Sequence, residues 1–293
     1  MTIGRLYPFA LALLLVPAGA QTQQTVERSR AAAADGVVEV ENVAGSIRVE
    51  GWDRNEVAMT ARLGRGIEGV EFEGDGSSTR IRVAYPRRNN SDGADLVVRV
   101  PAGSRIKVQG VSATVVVQDL RGPVDAQSVS GDVTVSGSTR TVQAASVSGD
   151  VRVNAGTNDV RAQSVSGDVH VQGATGFIEA ETTSGNVGVQ GREVSSLSLH
   201  SVSGRVSYRG SLHATASVNI ESFSGTVDFA VPSGTAGNFE ASTFSGSIDN
   251  EFNDVRPRTE RRGPGSELEF STGDRGAQIE LSSFSGTIRI RGL

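Results

Sequence analysis

Three aspartates, Asp132, Asp150 and Asp168, stand 18 residues apart, each inside the same string Ser-Val-Ser-Gly-Asp-Val. Carboxylates are the hard oxygen ligands that Ca²⁺ prefers, so a column of them either holds a cation or is satisfied locally. Stacked at the strand spacing of about 4.8 Å, neighbouring carboxylates repel by roughly 1 kcal/mol in water and by more at a lower effective dielectric. Turn N–H groups, and Arg152 two residues beyond Asp150, can offset that repulsion. The Ca²⁺-binding pattern Gly-Gly-x-Gly-x-Asp is absent and the column ends in Asn186 and Arg205, so we read the satisfaction as local and expect no metal and no cofactor. Serines accompany the aspartates. Ser130, Asp132, Ser148, Asp150, Ser166 and Asp168 form the candidate ligand-binding face, a grid of hydroxyls and carboxylates that can hydrogen-bond a glycan through many weak contacts. The competing reading is an outer face that is merely solvated, or serines that point inward and satisfy one another.

Catalytic chemistry finds less support. The three histidines, His170, His200 and His213, have no His or Cys at metal-ligand spacing. No Gly-x-Ser-x-Gly elbow is present, and no serine is obviously paired with a histidine and a carboxylate. The stretches Gly64-Arg65-Gly66 and Gly74-Asp75-Gly76 lack the strand-to-helix setting of a phosphate cradle. We expect no catalytic residue.

These residues must be positioned by a repeat. Ser-Gly recurs with Gly at 131, 149, 167, 185, 204, 225, 246 and 286, so the spacing runs 18, 18, 18, 19, 21, 21 and 40. Val111-Ser112-Ala113-Thr114-Val115 lies one period upstream, and Val43-Ala44-Gly45-Ser46-Ile47 looks like an earlier degenerate copy. Period-two alternation predicts strands. Val147, Gly149, Val151 and Val153 share one parity and are expected inside, while Ser146, Ser148, Asp150 and Arg152 are expected outside. In the preceding strand, Thr141-Val142-Gln143-Ala144, the apolar parity is switched, which implies a bend near Ala145, or near Gln163 one unit on. The fold class is therefore all-β, a parallel β-solenoid with coils of about 18–21 residues. The alternative is an antiparallel β meander in which Gly-Asp is the hairpin turn. Identity at every position of the unit, not only at the turn, favours stacking in register. Phe223, Phe244 and Phe284 enter where the spacing lengthens and are read as fillers of wider coils.

Composition agrees with thin layers. Of 293 residues only 5% are aromatic, with 36 Gly, no Cys and a net charge of −5. That excludes a disulfide scaffold, a cysteine-liganded metal centre and a basic nucleic-acid binder. Residues 1–20 read as a signal peptide: Arg5, an apolar run Leu6 to Val16, and Ala18-Gly19-Ala20 with cleavage after Ala20. The apolar run is shorter than the roughly 20 residues of a bilayer span, so no integral membrane segment is expected and the mature protein is placed in the periplasm or secreted. Residues 21–36 are a linker or cap and 37–293 the repeat domain, with insertions near 86–95 and 253–265. The first insertion carries Arg87 and Arg88. The second, with Arg256, Arg258, Arg261 and Arg262, could meet an anionic surface such as lipopolysaccharide.

Val38 to Asp53, Val98-Arg99-Val100-Pro101-Ala102-Gly103 and the repeated Ser-Val-Ser-Gly-Asp-Val together resemble an exported bacterial β-strand-repeat family of unknown function, described as "putative adhesins". The resemblance implies a β-helix-like fold, an envelope or extracellular location and an adhesive role, and it transfers no catalytic residue. The expectation is a non-enzymatic adhesion or interaction module whose partner is envelope polysaccharide or another surface protein. A polysaccharide-active β-helix enzyme and a purely structural envelope scaffold are the alternatives.

Overall fold

The computed structural model describes residues 24–86, 91–259, 265–273 and 276–293. The signal peptide, Arg87, Arg88, Arg261 and Arg262 lie outside the described residues. Within them the chain is all-β, with twenty strands in one continuous hydrogen-bonded system.

The repeat sets the pairing. The strand Thr141–Ser146 runs parallel to Val124–Ser128 on one side and to Asp159–Ser164 on the other, with Val142 opposite Val160 and Ala144 opposite Ala162. Val151–Ala155 lies in the same way between Val133–Gly137 and the strand that begins at Val169. Each 18-residue unit thus gives one strand to each of two faces, and like residues stack on like. These pairs are parallel, so Gly-Asp is not a hairpin turn and the meander alternative does not apply to the repeat. Between the faces lie Val142, Ala144, Val151, Val153 and Ala155, all fully buried, and each such valine contributes about 1.5–3 kcal/mol by leaving water.

The structure corrects the expected parity. Val142, Ala144 and Ser146 point inward, Val147 and Ser148 both point outward, and Gly149 and Val151 are inward again. The bend is therefore at Val147-Ser148, not at Ala145, and it places a valine outside and a serine inside. The hydroxyl explains why. Ser146 Oγ accepts the Gly149 N–H (3.0 Å) and donates to the Gly131 carbonyl of the preceding unit (3.0 Å). Ser128 and Ser164 repeat both bonds. One inward hydroxyl so closes the corner and ties it to its neighbour, satisfying two backbone groups that the turn would leave unpaired. Glycine is required beside it: a Cβ on Gly149 would overlap the carbonyl oxygen of Gly131, and one on Gly167 that of Gly149.

The aromatic fillers are also reassigned. Phe223, Phe284 and Phe244 are 56%, 47% and 60% exposed, at the position of outward Val147, whereas Tyr208, Phe229 and Phe239 fill the widened interior.

At both ends the stacking order departs from chain order. Val37–Trp52, which carries the early copy, lies parallel to Arg105–Leu120, with Ile47 opposite Val115. Its other side is covered by Ser78–Ala84 and Ala94–Pro101. Beyond these come antiparallel strands: Gly69–Gly74 on one face, Glu56–Leu63 and then Gln24–Ala31 on the other. Residues 24–31 are thus an edge strand of the same sheet. At the far end the last strand, Ala277–Gly292, inserts between Val206–Val231 and the pair Gly237–Thr243 and Ser247–Glu251, which precede it in sequence. Within the 40-residue interval Ser247–Glu251 pairs in parallel with the last strand, whereas Ser266–Thr272 pairs antiparallel with Gly237–Thr243 and with Arg258–Thr259.

Candidate functional site

The six residues of the expected face share one corner and the edge of one sheet. Ser130, Ser148 and Ser166 are exposed. The aspartates hold the layers together. The Asp150 N–H donates to Asp132 Oδ1 (2.9 Å), the Asp168 N–H to Asp150 Oδ1 (2.9 Å), the Asn186 N–H to Asp168 Oδ1 (2.7 Å) and the Arg205 N–H to Asn186 Oδ1 (3.0 Å). The local partner is therefore the next unit's backbone and not the aspartate's own turn. Arg152 adds an ion pair to Asp150 at 2.7 Å. Ser128, Ser146 and Ser164, expected in the outer grid, lie inside as described above.

The Asp168 N–H, together with the Arg152 guanidinium, holds the Asp150 carboxyl below the ordinary carboxylate range. A depressed folded-state pKa means that the contribution is present above the unfolded value and is lost as pH falls through the folded one. Asp150→Ala is expected to cost about 1 kcal/mol by leaving the Asp168 N–H without its acceptor. Asp150→Asn keeps the acceptor, as Asn186 does naturally, and is expected to flatten the loss of stability below about pH 4. Urea titrations of the two variants between neutral pH and pH 3 check this, and equal losses in both would contradict the acceptor role.

A second array was missed in the sequence. Val111, Val129, Val147, Val165, Val202, Phe223, Phe284 and Phe244 form an exposed apolar ridge along the corner, interrupted by Thr183 between Val165 and Val202. Phe223 and Phe284 stack with centroids 4.8 Å apart, and Phe284 and Phe244 with centroids 4.9 Å apart. On one flank the ridge borders a long groove whose other wall carries Gln163, Glu181, His200 and Glu221. The signal was available: a Ser three residues before Gly reads as a turn-closing hydroxyl, which forces the intervening Val-Ser pair outward.

Ser198, His200 and Glu221 correct the expectation that no serine meets a histidine and a carboxylate. Ser198 Oγ lies 3.0 Å from His200 Nε2, and His200 Nδ1 lies 3.4 Å from Glu221 Oε2. Acyl transfer also needs donors aimed at a developing oxyanion. Here the strand backbones flanking Ser198 pair in the parallel ladder, and the side-chain amide opposite, Asn219 Nδ2, donates to Glu221 Oε1. The trio orients an imidazole on an open sheet. His170 is exposed between Arg152 and Gly188 in the register of the opposite face, and His213 contacts Thr215. Among the described residues no group of three or more His, Cys, Asp or Glu is arranged to hold a metal, and no helix is long and apolar enough to cross a membrane.

Stacked like residues, a corner glycine and an inward serine recur through the chain. The family described as Toastrack DUF4097 matches residues 22–177 and again 73–291. The chain belongs to the Toastrack family. This agrees with the resemblance read from Ser-Val-Ser-Gly-Asp-Val, to a β-strand-repeat family of unknown function. The Toastrack chain is also similar to a "putative lipid binding protein" from Parabacteroides distasonis, at 10% identity and a TM-score of 0.46, covering 91% of this chain and 96% of that one. It is similar to a "putative adhesin" from Bacteroides fragilis at 11% identity and a TM-score of 0.41, covering 92% and 98%. No curated protein matches it. No enzyme family is identified for the Toastrack chain.

Proposed function

We propose that this Toastrack protein is an exported parallel β-solenoid, a non-catalytic adhesion or interaction module of the bacterial envelope that binds glycan by repeated contact along its corner. The signal peptide of residues 1–20, cleaved after Ala20, delivers it to the periplasm or the medium. The observation that carries the reading is the pairing of two rows at the corner. Apolar Val129, Val147 and Val165 lie beside hydroxyl-bearing Ser130, Ser148 and Ser166, unit after unit, with the Asp132, Asp150 and Asp168 column next to them. A pyranose ring has C–H faces and hydroxyl edges, and such a double row offers a surface for each. Single contacts of this kind are weak, but many at one spacing along a polymer add as avidity.

Binding to envelope polysaccharide, read by biolayer interferometry, tests this. Ser148→Arg with Ser166→Arg is expected to reduce binding at least tenfold with an unchanged melting temperature. Unchanged binding refutes this face as the site. Release of new reducing ends from pectin, alginate or peptidoglycan would overturn the non-catalytic reading.

A further inference from the structure

On the sheet that continues from the aspartate column, one outward row reads Thr134, Arg152, His170, Gly188, Ser207, Asp228 in consecutive layers. Gly188 interrupts it. The corner glycines are excluded from bearing a side chain by the neighbouring carbonyl, but Gly188 is not. A Cβ there would meet only the His170 ring at 3.4 Å and Ser207 Oγ at 3.6 Å, ordinary contact distances, and its φ is not positive. Glycine inside a strand costs roughly 0.5–1 kcal/mol against other residues, and it commonly marks a place where something approaches the backbone closely. Two surface depressions meet over this gap and share His170, Gly188 and Ser207 as lining.

The rim is rich in donors. Gln172 and Gln190 face each other with Nε2 to Oε1 at 3.4 Å, and Arg209 stands next to Gln190 in the register. Among the described residues, Arg205 is ion-paired to Asp228, as is Arg289, and Arg152 to Asp150, whereas Arg209 makes no ion pair. Arg209 supplies a planar, permanently charged fork suited to a carboxylate or phosphate. Gln190, Ser207 and His170 supply further hydrogen-bonding groups around it.

We infer that the gap over Gly188 is a subsite for one anionic saccharide unit, its acidic group on Arg209 and its hydroxyls on Gln190, Ser207 and His170. The inference rests on the glycan-binding reading above and adds to it the charge of the sugar and its place.

Calorimetric titration of the whole protein with oligogalacturonate, with a mannose-6-phosphate oligosaccharide and with neutral cello-oligosaccharide tests it. One or both acidic probes are expected to bind, more weakly as salt is raised, the two arms distinguishing carboxylate from phosphate. Arg209→Gln and Gly188→Val should each weaken that binding at least tenfold. Gly188→Val should leave the melting temperature unchanged or higher, which separates a filled site from a damaged fold. Acidic binding indifferent to both variants overturns the inference. Binding of neutral glycans alone overturns it and leaves the broader glycan reading intact, while binding of no saccharide, envelope polysaccharide included, overturns both.

Discussion

Deleting residues 277–293 is expected to abolish cooperative folding. The strand Ala277–Gly292 is last in sequence but internal in the stack, parallel to Ser217–Val231 on one side and to Gly237–Thr243 and Ser247–Glu251 on the other. Its Ile279, Leu281, Ile288 and Ile290 are buried. At about 1.5–3 kcal/mol per large apolar side chain, their loss removes roughly 6–12 kcal/mol, comparable with the whole stability of about 5–15 kcal/mol typical of a domain. The deletion also strands the two preceding strands, whose parallel partner is gone, and bares the buried faces around Phe229 and Phe239. Circular dichroism melts and soluble yield read the effect. A truncated chain that melts cooperatively within a few degrees of the parent would show that the inserted strand is dispensable. Removing Gln24–Ala31 instead, an edge strand with no fully buried residue, should cost far less.

Gly149→Val is expected to be among the most damaging single substitutions in the regular repeats. The added Cβ must overlap the Gly131 carbonyl oxygen, which belongs to the main chain of the preceding layer and also accepts the Ser146 hydroxyl. Neither partner is a side chain that can swing aside, so the layers must separate and lose both hydroxyl bonds. Overpacking costs about 1–3 kcal/mol, and an unpaired buried N–H adds about 1–3 kcal/mol. A loss of roughly 3 kcal/mol or more in urea titration is the expected result, with Gly188→Val as the internal contrast, at or above parental stability. Equal effects at the two glycines would show that close approach at the corner does not set the repeat.

The contrast between these glycines shows where sequence reading succeeds. The 18-residue period and the parallel stacking were legible because every layer meets the same constraint, and a constraint met repeatedly leaves the same residues behind. The aspartates were read as locally satisfied, although the N–H that each accepts belongs to the next layer. The parity of the corner was misread. Valine outside and serine inside reverse the polarity rule, since two hydrogen bonds to buried backbone outweigh exposure of a small apolar side chain. The same misreading hid the apolar ridge and put Phe223, Phe244 and Phe284 in the interior. Ser198, His200 and Glu221 could not be associated, because Glu221 reaches His200 only through the register of adjacent layers.

By itself the sequence determined what each regular layer contains: two short strands, one to each face, around a core of valine and alanine. These follow from interactions between positions one period apart, and the period is written in the chain. The tertiary structure alone decided the order of layers at the two ends, where Ala277–Gly292 and Val37–Trp52 lie between strands distant in sequence. It likewise decided which outward side chains become neighbours, the ridge and the gap at Gly188 among them. A parallel strand pairs with whatever edge presents matching register and an unfilled apolar face, and the free energy of covering that edge does not depend on how much chain separates the partners.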